Sequence, residues 1–73
     1  MSHRIDKTEA LSFLLTYIVV EQQVDFEMNQ YNLYRLMTLA AEAENQINSQ
    51  EGIIPHEVIE VIAADIIEEF KQA

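Results

Sequence analysis

The sequence contains no cysteine and only one glycine and one proline. Without cysteine the chain can form no disulfide, and it lacks the thiolate ligands that most structural zinc sites use. A β-rich fold of this size normally needs more turn residues than Gly52 and Pro55. These absences exclude a disulfide scaffold and favour an all-α fold.

Basic residues are also scarce. Four lysines and arginines stand against thirteen aspartates and glutamates, which gives a net charge of −9. Nucleic-acid binding requires clustered basic side chains that displace counterions from phosphates. The four scattered basic residues form no such cluster, so we expect no direct contact with DNA or RNA and favour a basic protein partner.

The uncharged stretch at residues 10–20 is too short to cross a membrane. A transmembrane helix needs about 20 apolar residues, whereas this stretch has eleven residues. Asp6 and Glu9 interrupt the start of the chain, and no small-residue cleavage site of a secretory signal follows Val20. We therefore expect a cytoplasmic protein that does not contact the membrane.

Apolar periodicity predicts three helices, at about residues 6–23, 29–49 and 55–72. Gly52 suits a left-handed helix end, and Pro55 is tolerated at the first position of a helix. The predicted fold is all-α, a compact three-helix antiparallel bundle that forms one domain over the whole chain, 1–73.

Two signals predict where the first two helices begin. Asp6 followed by Glu9 resembles a capping box ahead of the apolar run. Asp25 or Asn29 can cap the second helix.

The first helix is apolar nearly all round, and the third has an apolar stripe over about half its circumference. A chain this short buries only about 60% of its extended surface, so we expect a second copy to cover the rest. A homodimer through helices one and three does so with the fewest assumptions. The predicted interface residues are Leu11, Leu14, Leu15, Ile18, Ile59, Ile62, Ile66 and Phe70.

No group of residues in the sequence has the spacing of a known catalytic motif. His56 and Glu60 are one turn apart and could share a metal ion, but the zincin pattern has a second histidine where Glu60 stands. The order of the di-iron motif, Glu-x-x-His, is reversed here. We interpret Glu57 and Glu60 as acids that suit a helix N-terminus, and we expect no metal, cofactor or enzymatic activity. A metal-dependent helper enzyme using His56 is the alternative.

The candidate partner-binding surface combines acids of the third helix with two tyrosines. Tyrosine joins apolar area to a hydroxyl that tolerates water, which suits an interface. Each group also has a structural interpretation, because the acids can form a solvated face and the tyrosines can lie at the margin of the core. The candidate residues are Tyr31, Tyr34, Glu57, Glu60, Asp65, Glu68 and Glu69.

These features predict a small, acidic, non-enzymatic interaction or regulatory protein that acts as a homodimer. An inhibitor, an antitoxin-like protein and an adaptor subunit all fit this description, and the size and composition are typical of many small bacterial and phage proteins. One alternative is a structural subunit of a larger heteromeric assembly. Another is a nucleic-acid mimic whose carboxylates imitate phosphates.

The predicted dimer has a direct test in solution. Light scattering over a dilution series should give twice the chain mass of 8.5 kDa, in low and in physiological salt. A folded protein with the mass of one chain would contradict the prediction.

Overall fold

The computed structural model describes residues 4–72. Helix α1 spans Lys7–Leu15 and is followed directly by a π-helical segment, Thr16–Glu21, here called the π segment. Helix α2 spans Gln30–Ser49, and helix α3 spans Pro55–Gln72. No strand occurs in the described residues, so the prediction of an all-α chain with three helices is confirmed.

Local sequence signals set the helix starts. The Asp6 carboxylate accepts a hydrogen bond from the Glu9 backbone N–H at 2.8 Å, and the Glu9 carboxylate accepts one from the Asp6 backbone N–H. This confirms the predicted capping box. Of the two predicted caps for α2, Asn29 and not Asp25 accepts a backbone N–H of the first turn. Pro55 is the first residue of α3, where its missing N–H leaves no partner unsatisfied.

The end of the first helix differs from the α-helix predicted to residue 23. From Thr16 the turns widen, and the Gln22 backbone N–H donates to the Tyr17 carbonyl five residues back, at 2.9 Å. Four of the six residues in the π segment are β-branched. Such side chains are slightly unfavourable in an α-helix, although α3, which is also rich in valine and isoleucine, stays α-helical. Gln23 then adopts a φ of 54° and ends the helix.

One apolar core joins all three helices. Its largest enclosed side chains are Leu14, Ile18, Leu36, Ile59 and Ile66. Full burial of such a side chain contributes about 1.5–3 kcal/mol. No polar or charged side chain is buried among residues 4–72, so apolar packing holds the helices together.

Two polar contacts join the ends of the helices. The Asn48 side chain accepts the Ile5 backbone N–H at 2.9 Å and donates to the Ile5 carbonyl at 2.8 Å. Arg35 donates through both terminal nitrogens to the two carboxylate oxygens of Glu69, at 3.0 and 2.7 Å. The start of α1 therefore lies beside the end of α2, and the start of α2 lies beside the end of α3.

The burial of Leu36 in the core predicts that a cavity at this position lowers the free energy of unfolding. Leu36→Ala should lower the free energy of unfolding by about 3 kcal/mol, because it removes an enclosed side chain and leaves a void. Leu33→Ala is the matched control on the same helix, since Leu33 is 39% exposed. Urea denaturation measures both changes, and equal losses for the two variants would contradict this description of the core.

Candidate interaction sites

Apolar side chains are exposed around the end of the π segment. Ile18 occupies the buried position of that segment, so its neighbours Val19 and Val20 lie outside the core. Val19 is 47%, Val20 65% and Met28 52% exposed. These three residues line a groove of about 480 Å³, here called the apolar groove, together with Leu15, Thr16, Val24, Asp25 and Phe26.

The charged residues that line the apolar groove, or lie close to its residues in the chain, are acidic. Asp25 lines it, and Glu21 and Glu27 are exposed close to its residues in the chain. No lysine or arginine occurs in residues 8–34. An exposed apolar patch with a polar rim has the usual character of an interaction surface, which makes this groove a candidate site. Of the residues that line this groove only Leu15 was predicted at an interface, although the unbroken apolar run at 18–20 was a signal for the others.

The two candidate tyrosines are exposed at the start of α2. Tyr31 and Tyr34 are 68% and 73% exposed. The guanidinium carbon of Arg35 lies 5.5 Å from the centroid of the Tyr31 ring, and the same guanidinium pairs with Glu69. Through Arg35, the structure therefore brings one predicted tyrosine close to one predicted acid. The hydrogen bond from Arg35, followed by its charge, lowers the pKa of Glu69.

The other candidate acids are exposed along α3 and do not form one compact patch. Glu57 and Glu60 belong to the start of the helix, and Glu68 lies towards its end. Asp65 lines a separate groove between α2 and α3. A set of carboxylates spread in this way produces a broad negative potential rather than a site for one small ligand.

The predicted dimer residues divide into two groups. Four are enclosed in the core of the single chain: Leu14, Ile18, Ile59 and Ile66. Four are half-buried and pack against that core: Leu11, Leu15, Ile62 and Phe70. Leu15 lines the apolar groove, whereas Ile62 lines the groove between α2 and α3. The eight residues therefore form no single surface, because the helices of one chain cover much of each other's apolar stripes.

A cleft of about 450 Å³ lies between the first helix and the start of α3. We call it the His56 cleft. Most of its wall surface is apolar, and five of its eight lining side chains also carry a polar group, a combination that a binding pocket can use. The lining residues are Ser12, Phe13, Thr16, Tyr17, Glu21, Pro55, His56 and Ile59.

His56 joins the π segment to α3. Its Nε2 atom lies 2.8 Å from Glu21 Oε1, and its Nδ1 atom lies 3.4 Å from Glu60 Oε1. The Tyr17 ring meets the imidazole edge-on, with ring centroids 5.5 Å apart. The hydrogen bond to Glu21 raises the pKa of His56, partial desolvation opposes this, and the charges of Glu21, Glu60 and Glu57 raise it further.

The sequence identified the spacing of His56 and Glu60 but not the role of Glu21, which is 35 residues away from His56. No group of three or more histidine, cysteine, aspartate or glutamate residues within 4–72 is arranged to hold a metal ion. Among the same residues, no helix combines the length and apolar content needed to cross a membrane.

In comparisons with known proteins, no family model, no curated protein and no solved structure matches this chain. A function is therefore inferred from the surfaces of the chain itself.

The contacts of His56 predict the direction of its pKa shift and the residue that causes it. NMR should give His56 a pKa above its ordinary value of 6.5, and Glu21→Gln should lower that pKa because it removes the main partner. Glu42→Gln makes the same change of charge on α2 and should leave the pKa nearly unchanged. Because folding raises this pKa, the stabilisation is fully present below the unfolded pKa and is lost as the pH rises through the folded pKa. Equal effects of the two variants would contradict the assigned contact.

Proposed function

We propose that this chain is a non-enzymatic interaction protein that binds a basic, apolar segment of another protein. The exposure of Val19, Val20 and Met28 around an acidic-rimmed groove carries the proposal. These side chains are not needed to complete the core, and leaving them in water has a cost that a partner would remove.

The groove and the charges have different roles in binding. Burial of the valines and of Met28 supplies affinity, and the flexible methionine side chain adapts to a partner of irregular shape. The acids of α3 and the net charge of −9 speed the encounter with a positively charged surface. An amphipathic segment with one apolar and one basic face matches both features.

The regulatory effect of such binding is masking. A bound chain of this kind covers the basic apolar segment of its partner, as an inhibitor, an antitoxin-like protein or an adaptor subunit does. Tyr31 and Tyr34 extend the surface along α2 and offer rings that bury area at low entropic cost. Glu57, Glu60, Asp65, Glu68 and Glu69 supply the negative potential of α3.

The antiparallel arrangement of the helices and the homodimer are part of this proposal. The contacts of Asn48 with Ile5, and of Arg35 with Glu69, support the antiparallel arrangement because each joins the start of one helix to the end of another. For the dimer, the half-buried Leu11, rather than the enclosed Leu14, is available to a second copy.

The proposal is tested with a defined peptide, an amphipathic helix carrying leucines on one face and lysines on the other. Calorimetry should show that it binds, and Val20→Ser should weaken binding about fivefold because apolar burial is lost. Val61→Ser is the matched control, since Val61 is 77% exposed but lies on α3, away from the apolar groove. Equal weakening by both variants would contradict the assignment of the groove.

A second peptide separates charge from apolar burial. It keeps the leucines and replaces every lysine with glutamate, and it should not bind. Association with the lysine peptide should slow as salt is added, because salt screens the attraction between exposed charges. An association rate indifferent to salt would contradict the role of the acids.

A further inference from the structure

We propose that the His56 cleft receives a lysine side chain of the partner, with the aliphatic stem between Phe13 and Ile59 and the ammonium at Glu21. This inference rests on the proposed function, since it names the group by which a basic partner is recognised. It concerns a cleft that adjoins the apolar groove, since Thr16 lines both.

The walls of the cleft suit an aliphatic stem. Phe13 is 39% exposed although it is a large aromatic residue, and Ile59 closes the cleft from the core side with 2% exposure. Pro55 adds apolar surface from the start of α3. A lysine stem of four methylenes buries apolar area in such a cleft while its charged end stays near water.

The polar groups of the cleft select a cation. Glu21 lines it, Glu60 contacts the same imidazole, and no lysine or arginine is among the lining residues. An anion in this place meets two carboxylates and is repelled. A neutral apolar group strips water from Glu21 and returns no charge to it, which is unfavourable. The rings of Phe13 and Tyr17 offer a further attraction that only a cation gains.

The geometry favours lysine over arginine. Glu21 Oε1 already contacts His56 Nε2 at 2.8 Å, which leaves Oε2 as the oxygen for a ligand. A guanidinium is strongest when it pairs with both oxygens of a carboxylate, whereas an ammonium acts as a compact charge that needs only one. A single available oxygen therefore fits an ammonium.

His56 links this binding to pH. The groups that face it are Glu21 and Tyr17 from the π segment and Glu57 and Glu60 from α3. A protonated imidazole neutralises part of their charge and competes with the incoming ammonium for Glu21. Deprotonation of His56 removes that competitor, so binding of lysine strengthens as the pH rises through the pKa of His56.

The probe is Nα-acetyl-lysine methylamide, titrated into the full chain and followed by NMR. It should shift the resonances of Phe13, Tyr17 and His56 in a saturable manner. The norleucine analogue, with the same stem and no ammonium, and the arginine analogue should each bind more weakly. Equal affinity for the lysine and norleucine compounds, or shifts that avoid the cleft, would overturn the proposal.

Substitutions test whether the carboxylate of Glu21 binds the lysine ammonium. Glu21→Gln should weaken lysine binding about fivefold, and Phe13→Leu should weaken it while keeping the wall apolar. Glu42→Gln, with the same change in net charge, should have no effect, and an equal loss in this variant would overturn the proposal. In the wild type, binding should be tighter above the pKa of His56 than below it, and the opposite order would also overturn the proposal.

The two proposals fail in different ways. If the leucine and lysine peptide binds at Val19 and Val20 but the lysine compound leaves the cleft unshifted, the cleft proposal is overturned and the proposed function stands. If the peptide does not bind but the lysine compound shifts the cleft, the proposed function is overturned and the cleft is supported as a site for an alkylammonium group.

Discussion

Apolar packing at the meeting point of the three helices is the interaction on which the rest of the structure depends. Leu14, Ile18, Leu36, Ile59 and Ile66 are enclosed there, and no polar side chain among residues 4–72 is buried with them. The caps fix where α1 and α2 begin, and the contacts of Asn48 and Arg35 join the ends of neighbouring helices. A chain of 73 residues encloses only part of its apolar surface in this way, and side chains such as Val19, Val20 and Met28 stay exposed.

The π segment connects this core to both candidate sites. Its Ile18 is enclosed in the core, and its Val19 and Val20 are exposed in the apolar groove. Its Glu21 pairs with His56 in the His56 cleft. A wider turn thus presents consecutive residues to three different environments. π-helical turns are uncommon and are frequently found at functional sites, and here the segment lines both the apolar groove and the His56 cleft.

The scarcity of basic residues shapes the electrostatics of the surface. Of the four lysines and arginines in the sequence, Arg35 is already engaged by Glu69 and by the ring of Tyr31. The single cation at the His56 cleft is a titratable imidazole rather than a permanent charge. The residues that line the two sites thus include Asp25 and Glu21 but no lysine or arginine.

Local sequence signals account for the three helices, the capping box at Asp6 and the start of α3 at Pro55, because caps and apolar periodicity act between residues a few positions apart. The enclosure of Leu14 and the exposure of Val20 were decided only by the tertiary structure, since both residues belong to the same apolar run. The pairing of the Glu21 carboxylate with the His56 imidazole also follows only from the tertiary structure. Such contacts join residues far apart in the chain and depend on how the helices pack, which no local pattern specifies.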